Sequence, residues 1–245
     1  MRYFIQSVFV AVFLLLYPSC DSTVKSNNSK NGDTNNFIEK DYTLPTRFKI
    51  ESKVFIFDDF YPIGWSADGK FAYITEPADE ATGFYFFSFN IFDTHSQKII
   101  WSWKIDEKNE QEGGNIKDTW TKNYKLFKSE LVKNKITQIN NLELKQFPIS
   151  LKNQKIQFRK TIKYEKDKYF GFDVVSFAEF SIEKDGKKKS FYKKSFPNSL
   201  FLNITVLGYY KNPFGNEIFT LIHAEQRGYE GPPNVRRIKA GGCEL

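Results

Sequence analysis

Any chemistry in this chain must come from few reactive side chains: two histidines, His95 and His223, and two cysteines, Cys20 and Cys243, among 36 lysines and arginines and 29 carboxylates. A zinc centre wants further nitrogen or sulfur ligands at short spacing, and a Ser-His-Asp machine wants a nucleophile in a sharp turn near a histidine. Neither pattern accompanies either histidine, and no glycine-rich phosphate loop is present. No catalytic residue, metal or cofactor is therefore assigned. His95 follows the turn residues Asp93-Thr94 and is expected at the surface, whereas His223 lies in an apolar run and is expected to be structural.

The carboxylates offer two alternatives. Glu230 stands between Gly228 and Gly231, which permit close backbone approach, so it is the acid an unrecognised hydrolase would use; as a structural residue it would pair with Arg236 or Arg237. Asp58-Asp59, Glu76 and Asp79-Glu80 supply oxygen ligands of the kind calcium takes, but their spacing departs from an Asp-x-Asp-x-Asp-Gly loop, so they read as solvated turns. Tyr229, Glu230, Arg236 and Arg237 together mark a possible functional loop.

Basic residues are densest at Lys184, Lys187, Lys188, Lys189, Lys193 and Lys194, around the Asp185-Gly186 turn with Phe191 and Tyr192 between. Cations interleaved with aromatics hold polyanions by counterion release and stacking. Lysines on a hairpin also guard its edge against aggregation. An exported chain points to an anionic glycan, lipid or protein as partner and away from nucleic acid.

Export is read from the start. Arg2, the apolar run Val8–Tyr17 and then Pro18-Ser19-Cys20 form a basic n-region, an h-region and a processing site. The run is shorter than the roughly 20 residues a spanning helix needs, and Asp21 follows closely. Cysteine just after an h-region is what lipoprotein processing requires, so residues 1–19 read as a signal peptide and Cys20 as the lipid-bearing first residue. Tyr17 and Pro18 loosen the box, leaving simple secretion and a short uncleaved anchor as alternatives. A bulky residue ahead of Ser-Cys resembles spirochaetal lipoproteins.

With Cys20 lipidated, Cys243 has no internal partner: it is either a frayed or lightly buried thiol or the link of a disulfide-bonded dimer. Loss of the leader removes only Arg2 among the charges, which leaves 35 basic against 29 acidic residues. The excess favours an anionic partner or surface.

The elements that must position these groups are mostly strands. Aromatics make up 18% of the chain, with 26 Phe and 13 Tyr, which favours β-structure. Residues 20–43 are polar and read as a lipidated, flexible tether; a single β-rich domain then spans 44–245. Strands are expected at Lys53–Phe57, Phe71–Thr75, Phe84–Phe92 and Lys98–Ile105, a meander. Ile116, Trp120, Tyr124, Phe127 and Leu131 share one helical face, so one amphipathic helix covers the sheet. Strands resume at Leu142–Phe147, Gln154–Tyr164, Tyr169–Ile182, Ser190–Phe196, Leu202–Tyr210 and Glu217–Glu225. The fold class is mainly β, antiparallel meander sheets with one covering helix.

Two segments carry a resemblance. Ile63-Gly64-Trp65-Ser66-Ala67-Asp68-Gly69-Lys70-Phe71-Ala72-Tyr73 resembles one repeat of the translocation-associated β-propellers, in which the aspartate caps the turn and the glycine supplies positive φ. Only one copy is present, which implies a blade-like meander inside another β fold. Paired with Arg227-Gly228-Tyr229-Glu230-Gly231-Pro232-Pro233-Asn234-Val235-Arg236-Arg237, the chain resembles a family of predicted secreted bacterial proteins of unknown function. That likeness implies an exported β-rich fold and no particular chemistry. Together these readings expect a membrane-anchored extracytoplasmic protein that binds a partner or serves the envelope, with a carboxylate hydrolase or a calcium or small-ligand module as alternatives.

Overall fold

Aromatic and β-branched residues set two apart, punctuated by Asp, Gly and Asn turns, fold here into three sheets, a short ribbon and one helix. The computed structural model describes residues 41–245 except 51, 81, 109–110, 113, 152–153, 170 and 230. The leader, Cys20, most of the tether and Glu230 lie outside the described residues. The described fold opens at Asp41, three residues ahead of the expected boundary. Tyr42 is already anchored there: its hydroxyl donates to the Ile136 carbonyl at 2.6 Å and its N–H to the Tyr124 hydroxyl at 3.1 Å.

The chain starts with β1 (Phe55–Phe57) and a meander of β2 (Asp59–Trp65), β3 (Lys70–Glu76), β5 (Phe87–Asp93) and β6 (Lys98–Ile105). The two-residue strands β4 (Phe84–Tyr85) and β7 (Gln111–Glu112) pair with each other. The helix α1 (Ile116–Lys133) follows, and β8 (Thr137–Gln138) then closes the first sheet in the order β6-β5-β3-β2-β8. Next come β9 (Ile149–Leu151), β10 (Gln154–Lys166), β11 (Asp173–Lys184) and β12 (Lys187–Ser195), an outer sheet ordered β12-β11-β10-β9. The last three strands, β13 (Phe201–Lys211), β14 (Glu217–Gln226) and β15 (Asn234–Glu244), form a central sheet that also takes in β1, ordered β1-β15-β14-β13. All the pairings are antiparallel except β1 on β15.

Side-chain alternation stacks the layers. On β14, Phe219 and Leu221 face the first sheet and meet Phe60, Phe71 and Tyr73, with Phe71 and Phe219 ring centroids 4.3 Å apart. Ile218, Ile222 and Ala224 face the outer sheet and join Phe180, Ile182 and Phe191. The far side of the first sheet, with Ile74, Phe87 and Phe89, takes Trp120, Phe127 and Leu131 of α1. The order of layers is helix, first sheet, central sheet, outer sheet. Asn115 caps the helix by accepting the Asp118 N–H at 2.9 Å.

The expected class, mainly β with antiparallel sheets and a single helix, is the observed one. Phe84–Phe92 divides into β4 and β5, the short strands β7, β8 and β9 were not expected, and three further differences have a readable cause. Pro62 and Gly64 hide β2; the register shifts between them, and a Cβ on Gly64 would lie 1.9 Å from the Thr137 carbonyl oxygen, so glycine is what lets β8 pair there. Arginines, a lysine and Gly241-Gly242 hide β15, whose neighbours β14 and β1 supply its burial. Leu142–Phe147 is not a strand: its tie to β13 is an isolated bridge between Lys145 and Tyr209.

The Ser-Ala-Asp-Gly-Lys turn caps itself through the serine, not the aspartate: Lys70 N–H donates to Ser66 Oγ at 2.8 Å, while the Asp68 carboxylate pairs with the Lys70 ammonium. Gly69 takes φ +81°, as expected. The turn docks on the β13–β14 loop, where buried Asn212 donates from Nδ2 to the Ser66 carbonyl at 3.1 Å and to Glu217 Oε2 at 2.8 Å. Thr94 Oγ1 adds a bond to the Gly69 carbonyl at 2.8 Å.

Candidate functional site

In the central sheet β1 covers β15 only from Asn234 to Arg236, which leaves the rest of that edge of β15 without a strand. Beyond β1 the layers part and leave a groove of about 1840 Å³, bounded by β6 and the 77–80 segment on one side and by β12 and β15 on the other. On its floor a ladder of small polar side chains crosses the first sheet. Thr75 and Ser88 hydroxyls lie 2.8 Å apart, Asn90 Nδ2 donates to Ser88 at 3.0 Å, and the Ser102 hydroxyl donates to Asn90 Oδ1 at 2.8 Å.

One end is fixed by Arg237. Its Nη1 donates to Asp58 Oδ1 at 3.0 Å and to the Ala78 carbonyl at 2.7 Å, and its Nη2 to Glu80 Oε1 at 2.5 Å. Asp58, only 6% exposed, also accepts the N–H groups of Ala78 and Ile238. A buried carboxylate is tolerable when it is this fully bonded. Glu80 further accepts the Tyr229 N–H at 2.8 Å, which leaves the Tyr229 side chain standing out at the groove's mouth, the residue 83% exposed.

The expected lysine run is divided by the fold. Lys187 stays at the exposed hairpin turn, Lys188 pairs with Glu179 at 3.1 Å, and Lys189 reaches Glu244 at 3.6 Å. Lys193 and Lys194 line the groove instead, and Lys239 of β15 joins them there. None of these three makes an ion pair among the described residues. Lys194 and Lys239 lie over the rings of Phe196 and Phe201, at 5.9 and 5.2 Å from the centroids. Burial holds the Lys239 ammonium below the usual lysine range; Asp58 opposes this, while Lys194 and Arg237 add to it. Sequence reading missed Lys239 because it sits alone, one lysine in a strand that had not been identified.

Both arginines have partners among the described residues. Arg236 pairs with Glu225 at 3.5 Å and stacks 3.6 Å over the Phe55 ring, and Arg237 has Asp58 and Glu80. The carboxylates weighed for calcium are likewise engaged. Asp59 pairs with Arg47, Glu76 accepts the Tyr61 hydroxyl, and Asp79 accepts Thr82 and Gly83 N–H groups. Among the described residues no group of His, Cys, Asp and Glu is placed to hold a metal ion, and no helix is long and apolar enough to cross a membrane.

His95 is exposed, 3.7 Å from Glu217. His223 is 1% exposed beside Phe57, with neither ring nitrogen hydrogen-bonded; burial first, and Arg236 second, push its pKa down to about 4. Cys243 is no frayed end: it is fully buried in the core between the central and outer sheets, and burial pushes its thiol up to about 12. A disulfide to a second chain would require pulling β15 out of that core. No protein-family model, curated protein or solved structure matches this chain, and the groove's own chemistry is what a functional reading has to rest on.

Proposed function

We propose that this is an exported protein, lipidated at Cys20 and held at a bacterial membrane, whose β-rich domain binds an anionic partner in the groove between β6, β12 and β15. The observation that carries the reading is the convergence of Lys193, Lys194 and Lys239 on one concave surface, where none of the three makes an ion pair among the described residues although Asp106 and Glu107 also line it. Like charges gathered in a cleft are costly in isolation and favourable to an incoming anion. The nearby carboxylates that a hydrolase would recruit, Asp58 and Glu80, are committed to Arg237. That commitment favours binding over hydrolysis.

The test uses the mature chain on immobilised dextran sulfate and polyglutamate. Lys193→Glu with Lys194→Glu is expected to weaken capture by about tenfold or more, while Lys187→Glu with Lys188→Glu at the hairpin turn changes it by less than about threefold. Equal losses from both pairs would reduce the groove to a diffuse basic surface. Mass measurement of the N-terminal peptide from native membranes is expected to show an acylated Cys20, and a free N-terminus elsewhere would remove the anchor from the reading.

A further inference from the structure

Of the strand edges left open among the described residues, those of β10 and β6 are dressed differently. The outer edge of β10 beyond Ile156 carries Arg159, Lys160, Lys163, Glu165 and Lys166, with Arg159 paired to Glu183 and Lys166 to Asp173, each at 2.9 Å. Charged side chains along an edge are how sheets refuse further strands. β6 ends the first sheet on the other side, pairs only with β5, and carries Ile99, Ile100, Trp101 and Trp103, with Ile99 48% and Ile100 45% exposed. Its charges stand near its two ends, Lys98 and Lys104.

We infer that β6 accepts an extended acidic polypeptide as an added strand, laid into the groove with its acidic side chains toward Lys193, Lys194 and Lys239. The inference rests on the groove reading above and names the partner's class. Three observations support it. Lys98, Ile99 and Lys104 line the groove, so a strand added to β6 runs along the cationic wall opposite. Strand addition supplies affinity through backbone hydrogen bonds and selectivity through alternate side chains, so one face of the guest contacts the lysines. Charge also selects against a second copy of the chain as guest, since antiparallel self-pairing centred on Trp101 would set Lys98 against Lys104. Like charges directly opposite are destabilising.

The mature chain is titrated with a synthetic peptide of alternating valine and glutamate, with its valine-lysine counterpart and with dextran sulfate, while amide hydrogen exchange is followed strand by strand. Binding of the glutamate peptide is expected to slow exchange in β6 by about tenfold or more and to leave β10 unchanged. Ile100 sits at the register shift, between Ile99 opposite Phe92 and Trp101 opposite Ile91, so Ile100→Pro spares the ladder to β5. That variant is expected to lose about tenfold in affinity for the peptide and to keep its affinity for dextran sulfate. Peptide binding without protection of β6 would overturn strand addition and leave the groove reading standing. Binding of dextran sulfate alone would make the partner a polysaccharide and also overturn the inference. Failure of every anion to bind would remove the groove reading as well. Protection of β6 in a dimer without peptide would assign the edge to a second copy.

Discussion

The first and central sheets meet at two ends, and the polar groups there behave in opposite ways. At the end formed by the 66–70 turn and the β13–β14 loop, Asn212, Ser66, Glu217, Gly69 and Thr94 satisfy one another in the interior. At the groove end, Arg237 is equally saturated, but Lys194 and Lys239 lie over aromatic rings and, like Lys193, make no ion pair among the described residues. A buried polar group that finds its partners specifies architecture, whereas lysines gathered on a concave surface attract an anion from outside the chain.

Three changes probe that contrast, in falling order of effect. Arg237→Ala strands Asp58 at 6% exposure among backbone donors, and chemical denaturation is expected to show a loss of about 4 kcal/mol. A loss under about 1 kcal/mol would mean that water replaces the guanidinium and that this end is as open as the lysines beside it. Asn212→Ala removes the side-chain bonds to the Ser66 carbonyl and Glu217 at the closed end, costing about 2 kcal/mol and leaving anion capture unchanged. A change in capture would show that the two ends are coupled. The third is a shift of pH. His223 is neutral in the folded state with a pKa of about 4 against 6.5 in the unfolded chain, so the unfolded chain binds the extra proton and stability falls as pH drops below 6.5. Between pH 7 and pH 5 the loss is about 2 kcal/mol, and His223→Phe is expected to abolish that part of the pH dependence.

The strands with plain alternation, such as Phe71–Thr75 and Glu217–Glu225, and the helix face from Ile116 to Leu131 were legible in the sequence because burial on one side writes a period. β2 and β15 were not, because their burial depends on neighbours far along the chain. Gly64 reads as a breaker until β8 is seen against it, and Gly241 reads as a loop until its Cβ position is found 2.8 Å from the Phe191 carbonyl oxygen of β12. The site followed the same rule. Lys193 and Lys194 belonged to a visible cluster, but the groove that separates them from Lys188 and Lys189 exists only once β12 and β15 are brought together. Arg237 was marked as a candidate, yet its partner Asp58 lies 179 positions away, beyond any local pattern.

The parallel pairing of β1 with β15 has a consequence for the order of events after synthesis. Phe55 opposes Asn234 and Phe57 opposes Arg236, so the first strand of the described fold waits for the last. The central sheet cannot be completed until β15 has been made. Until then the aromatic faces of the first and outer sheets have no layer between them. Docking of β15 is then also the step at which the groove gains Arg237 and Lys239.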